Sequence, residues 1–131
     1  MIITEQHNIL LVEDDPLLID IYSTKFKEAG FKVQVAENGE KALEAVKKAK
    51  PDLMVLDIVL PHLDGWGLLE ALQQDKKLAG NAKIIVLSNL GQKEEIERGL
   101  SLGAARYLIK AHYTPSQVVA EVRKLLLENT S

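Results

Sequence analysis

Short apolar runs alternate with amphipathic stretches along this chain. Residues 9–12, 53–56 and 84–87 are continuously apolar, as strands buried on both faces are. Phe31-Lys32-Val33-Gln34-Val35 alternates strictly instead, which predicts a half-exposed strand at a sheet edge. Tyr107-Leu108-Ile109 predicts a fifth strand. Helical spacing fills the intervals. Asp15-Pro16 supplies a cap and a first-turn proline for a helix with Leu18, Ile21, Tyr22 and Phe26 on one face, and Gly30 closes it. Asn38-Gly39 opens a second helix carrying Ala42, Leu43 and Val46, and Asp64-Gly65 a third carrying Leu68, Leu69 and Leu72. A weaker segment over residues 93–102 offers Ile96 and Leu100. Thr114-Pro115-Ser116-Gln117 reads as a capping box before a last helix with Val118, Val119, Val122, Leu125 and Leu126 at helical spacing.

Strands separated by helices predict βαβ units and a parallel sheet covered by helices. The alternating second strand belongs at an edge, with the first strand inside. Right-handed crossovers then favour strand order 2-1-3-4-5 in a doubly wound α/β fold, a flavodoxin-like (βα)5 sandwich.

Composition narrows the picture. The chain has 131 residues, 47% hydrophobic and 27% charged, which suits one folded domain with a core. No linker, repeat or low-complexity tract interrupts it, so a single domain is expected over residues 1–131, with its core at about 8–127 and no effector domain following. A net charge of −3 without a basic patch argues against direct nucleic-acid binding. The absence of cysteine excludes disulfides and thiolate chemistry. Met1-Ile2-Ile3-Thr4-Glu5-Gln6 lacks the order of a signal peptide, and no apolar run approaches a membrane span. A cytoplasmic location is the expectation.

The candidate chemistry lies at strand ends. Glu13-Asp14-Asp15 follows the first strand, Asp57 the third, Ser88 ends the fourth and Lys110 follows the fifth. In an open parallel sheet these positions converge on one edge, where sites form. Crowded carboxylates repel unless a hard cation neutralises them. The constellation therefore suggests a Mg²⁺-dependent phosphoryl-accepting aspartate. Each residue alone has a blander reading. Asp57 could be a strand-end cap, Asp15 the cap before Pro16, Ser88 an ordinary strand-end hydroxyl and Lys110 a solvated charge. Their joint placement outweighs those readings. The acidic metal pair is Glu13-Asp14, unless the assignment slips by one residue. His7, His62 and His112 sit on separate segments without ligand spacing, which argues against a zinc site. Trp66 reads as a packed or partner-facing aromatic.

The stretches Leu-Val-Glu13-Asp14-Asp15-Pro, Val-Leu-Asp57-Ile-Val-Leu-Pro61-His-Leu-Asp64-Gly65, Leu-Ser88 and Tyr107-Leu-Ile-Lys110 together resemble the receiver domain of bacterial two-component response regulators. Strand order 2-1-3-4-5 is also that of the chemotaxis receiver, so the order is not independent of this resemblance. The resemblance implies that Asp57 is the phosphoacceptor. It implies Mg²⁺, with Mn²⁺ as a substitute, held by Asp14, Asp57 and the Val59 backbone carbonyl, and by Glu13 through water. Lys110 and Ser88 would each meet a phosphoryl oxygen. Ser88 and Tyr107 would switch the surface of the fourth helix, fifth strand and fifth helix. Val59 and Leu90 occupy positions that tune dephosphorylation. Both are apolar here, which implies slow self-dephosphorylation.

The implied partners are a histidine kinase or phosphotransfer protein and a downstream protein target, with phosphorylation-dependent homodimerisation left open. Neither nucleic acid nor membrane is implied. The chain would catalyse its own phosphorylation and dephosphorylation, not turnover of an external substrate. The rival readings are a phosphorylation-independent receiver-like interaction module and a receiver cut from a longer regulator. A flavin-binding protein or an aspartate phosphohydrolase fits less well, because the first loop is acidic and the first strand lacks a D-x-D motif.

One position departs from the family. Ala111 follows Lys110 where the family has proline after a cis bond. A non-proline cis bond costs about 2.5–4 kcal/mol. The chain either carries that cost or turns differently after Lys110.

Overall fold

The structure is a computed structural model that describes residues 6–128. The N-terminal segment examined for a signal peptide lies mostly outside them. Five strands alternate with five helices: β1 (Asn8–Val12), α1 (Pro16–Glu28), β2 (Lys32–Ala36), α2 (Gly39–Lys48), β3 (Leu53–Leu56), α3 (Gly65–Gln74), β4 (Lys83–Ser88), α4 (Lys93–Ser101), β5 (Arg106–Ile109) and α5 (Pro115–Leu127). All strand pairs are parallel, in the order β2-β1-β3-β4-β5. This is the order expected from the sequence.

Alternation along each strand divides the core into two layers. Leu10, Val12, Met54, Leu56, Ile84 and Val86 pack on α2 and α3 through Ala42, Val46, Leu68 and Leu69. Ile9, Leu11, Leu53, Val55, Ile85 and Leu87 face the other way, onto Tyr22 and Phe26 of α1 and Val118 and Val122 of α5. Helices on both faces explain why the central strands are apolar at every position. β2 has one neighbour, and its Gln34 and Val35 are exposed.

The helix starts follow local chemistry. Asp15, Asn38 and Asp64 each accept a backbone N–H of the first turn, and Thr114 with Gln117 forms the reciprocal box expected before α5. One expectation is corrected in α4. Leu100, read from its spacing as an inward residue, is 45% exposed. The buried position of this helix is Gly99. A Cβ there would lie 2.7 Å from Cδ2 of Tyr107, so the tyrosine ring occupies the room that a side chain on α4 would need.

Candidate functional site at the carboxyl edge of the sheet

The sheet ladder continues one residue beyond β1 and β3. Glu13 N–H donates to the Ala36 carbonyl, and Asp57 N–H to the Val12 carbonyl, both at 3.0 Å. These bonds fix where the two acidic side chains leave the backbone. Behind Asp57, Gly65 N–H donates to the Ile58 carbonyl at 2.8 Å. A Cβ on Gly65 would come 2.6 Å from the Asp57 carbonyl oxygen, so only glycine lets α3 begin this close to the site.

Lys110 closes the arrangement from the far side. Its ammonium donates to Asp57 Oδ2 at 2.7 Å and to Glu13 Oε2 at 2.8 Å. Side-chain exposure is 9% for Asp57, 4% for Glu13 and 11% for Lys110, so solvent screens these pairs weakly. The remaining carboxylate oxygens are also engaged. Asp57 Oδ1 accepts from Val59 N–H at 3.3 Å, and Glu13 Oε1 from Asp15 N–H at 3.2 Å. Burial pushes the Glu13 carboxyl above its usual value, although the Lys110 ammonium opposes the shift. For Lys110, burial favours loss of the proton, but the hydrogen bonds it donates to Asp57 and Glu13 prevail and raise its pKa. Two buried carboxylates share one ammonium, and the cluster carries excess negative charge.

Asp14 stays outside this triplet and is exposed on the same loop. Among the described residues, no group of three or more His, Asp and Glu side chains is disposed to hold a metal. The donors around the cluster are oxygens, which suit a hard divalent cation, and the excess charge favours one. The residues present therefore fit Mg²⁺ in chemistry. Receiver domains typically bind this ion.

The second half of the edge is neutral. Ser88 is fully buried, and its hydroxyl accepts from Leu90 N–H at 3.3 Å. Tyr107 donates its hydroxyl to the Leu90 carbonyl at 2.6 Å. Val59, whose N–H bonds to Asp57, is 60% exposed, and Leu90, whose N–H bonds to Ser88, is half-buried. Trp66 is packed, with the Arg98 guanidinium 4.3 Å from its ring centre. The three histidines stay apart: His7 lies against Phe31, while His62 and His112 are exposed.

The chain takes the second of the two courses open to it after Lys110. The described residues contain no cis peptide bond, and Lys110–His112 forms a short 3-10 turn. Ala111 N–H donates to Asn89 Oδ1 at 3.1 Å. Asn89 and Gly99 carry no mark of this region in the candidate chemistry at the strand ends. A non-proline at 111 does signal a spare N–H, and a glycine inside an amphipathic helix signals close approach. Nothing local marks Asn89 as the acceptor.

Comparison with known proteins agrees with this architecture. The sequence profile of the response regulator receiver domain matches residues 9–123. The DNA-binding dual master transcriptional regulator RpaA of Synechocystis sp. is 35% identical over 90% of this chain and 48% of its own length. A probable transcriptional regulator, ycf27, of Pyropia yezoensis is 34% identical over 93% of this chain and 48% of its own. The chain thus spans about half the length of these curated relatives. Among solved structures, the Francisella response regulator 1452 receiver domain superposes with a TM-score of 0.83 at 30% identity, covering 92% of this chain and 97% of that one. The BeF3-activated N-terminal receiver domain of Klebsiella pneumoniae RstA gives 0.82 at 30% identity, covering 92% and 99%. Sequence profile, strand order and superposition agree, and the chain belongs to the response regulator receiver domains of two-component systems.

Proposed function

We propose that Asp57 accepts a phosphoryl group from a phosphohistidine of a histidine kinase or phosphotransfer protein. The observation that carries this reading is the Lys110 ammonium, which spans Asp57 and Glu13 at 2.7 and 2.8 Å on the carboxyl edge of the sheet. A carboxylate oxygen of Asp57 forms the P–O bond as the P–N bond to the donor imidazole breaks; the leaving nitrogen takes the bonding pair, and a proton on the ring's other nitrogen lets the imidazole depart neutral. Lys110 is paired with the nucleophile before the reaction, so its charge is at hand for a phosphoryl oxygen without a large movement. Ser88 supplies a hydroxyl for another oxygen once it leaves Leu90. Asp14, Asp57 and the Val59 carbonyl would hold Mg²⁺, with Glu13 acting through water and Mn²⁺ as a substitute. When bound, the ion offsets charge on the carboxylates and on the phosphoryl oxygens. The chain acts on itself and has no external substrate to turn over.

Output passes through protein contact at α4, β5 and α5, with Tyr107 as the side chain that links this face to Ser88. The relatives described as transcriptional regulators are about twice as long, and the segment they share with this chain is the receiver. Among the described residues no helix is long and apolar enough to cross a membrane.

The test is intact mass after incubation with phosphoramidate or acetyl phosphate, with and without Mg²⁺. Gain of one phosphoryl group that needs both Mg²⁺ and Asp57, and is lost in Asp57→Asn, is the expected result. No gain from any donor, including a phosphorylated histidine protein, would favour a phosphorylation-independent interaction module.

A further inference from the structure

Ala111 carries an N–H that a proline would lack, and its partner lies on a different loop. Asn89 follows the last residue of β4, and its Oδ1 accepts the Ala111 N–H at 3.1 Å. Ala111 is the middle residue of the turn that Lys110 begins, and Tyr113 N–H closes that turn on the Lys110 carbonyl at 3.3 Å. The loop after β4 meets the end of β5 at two further points. Tyr107 donates to the Leu90 carbonyl, and a Cβ on Gly91 would lie 2.8 Å from Ile109 Cδ1. Residues 107, 109 and 111 are thus held in turn by residues 90, 91 and 89.

We propose that Asn89 is a positioning residue for Lys110. Its side chain fixes the trans turn after β5, so that the ammonium leaves the backbone at the place from which it reaches Asp57. The physical case is one of restraint. A lysine side chain loses much rotamer freedom when it is held between two carboxylates. A backbone already fixed at its root leaves fewer conformations to lose. A proline chain restrains this loop through its ring, whereas this chain uses a hydrogen bond between loops. The proposal rests on the phosphoacceptor chemistry given above.

Two measurements test it. In amide hydrogen exchange, Asn89→Ala is expected to speed exchange at Ala111, while Asn89→Asp, which keeps an acceptor oxygen, retains the protection. In phosphorylation by acetyl phosphate with Mg²⁺, Asn89→Ala is expected to slow the reaction about two- to tenfold, the range of one neutral hydrogen bond. Asn89→Ala added to Ala111→Pro should slow it no further, because the donor is already gone. Unchanged exchange at Ala111 in Asn89→Ala overturns the proposal, and so does an undiminished effect of that change in the Ala111→Pro background. The two readings fail differently. A wild-type chain that takes up no phosphoryl group overturns the receiver chemistry and this role with it. A phosphorylated wild type matched in rate by Asn89→Ala overturns the positioning role alone.

Discussion

The two halves of the carboxyl edge are held in opposite ways. On the β1–β3 side, Glu13 and Asp57 are tied by charge to Lys110 in a nearly solvent-free place. On the β4–β5 side, Ser88 and Tyr107 hold the amide and carbonyl of a single residue, Leu90, through neutral bonds. Charged pairs of low exposure are costly to break one partner at a time. A neutral bond to backbone contributes about 1 kcal/mol, and water or a phosphoryl oxygen can replace it. The first half is therefore built to stay and the second to rearrange. Under the proposed function, the phosphoacceptor would sit in the first half, and the relayed movement would start in the second when Ser88 leaves Leu90.

The largest effect should come from the charged half. Lys110→Met leaves two buried carboxylates without their counter-charge, and unfolding stability should fall by about 3–5 kcal/mol in urea titrations. Added Mg²⁺ should restore more stability to this variant than to the wild type. If Lys110→Met is as stable as the wild type, the charged half is not the fixed one.

On the neutral half, Tyr107→Ala removes one hydroxyl bond and the ring that lies against Gly99. Phosphoryl uptake should persist while coupling to a protein target weakens, read as partner binding before and after phosphorylation. Loss of uptake itself would join the two halves into one unit.

Val59 and Leu90 are bonded through their N–H groups to Asp57 and Ser88, and a polar side chain at either position could orient water. Val59→Asn and Leu90→Glu are expected to shorten the lifetime of the phosphorylated protein, measured as decay of the modified mass. Unchanged decay in both would overturn the expectation of slow self-dephosphorylation.

The smallest effect concerns alkaline stability. Burial holds the Tyr22 hydroxyl above its ordinary value of 10.0, and nearby Lys110 moderates the shift. A group raised on folding contributes stability that is full below its unfolded pKa and is lost as pH rises through the folded one. Stability should therefore decline above about pH 10, and Tyr22→Phe should make that decline shallower. The check is the urea midpoint across the alkaline range, and an unchanged slope would count against it.

Much of this was legible in the chain. Alternation marked β2 as an edge strand, because burial on one face leaves its mark residue by residue, whereas β5, the other edge, has the unbroken run Tyr107-Leu108-Ile109. Caps were legible because they are local: Asp15, Asn38, Asp64 and Thr114 each act within three residues. What escaped depends on partners distant in sequence. The bridging of Lys110 between Glu13 and Asp57 spans 97 and 53 positions, and the bond from Ala111 to Asn89 spans 22. Spacing in α4 pointed to Leu100, yet the ring of Tyr107 from β5 decides which position of that helix is covered. Pattern gives the face of a helix only when its neighbour is smooth.

The distance between Glu13 and Lys110 along the chain has a consequence for synthesis. Glu13 and Asp57 follow β1 and β3, and Lys110 begins the turn after β5, so they meet only after the last strand has joined the sheet. Contacts this non-local form late, because the intervening loop must close first. A nascent or half-folded chain thus holds Asp57 without its ammonium partner. If Asp57 is the phosphoacceptor proposed above, the completed ion pair marks a chain whose last strand is in place.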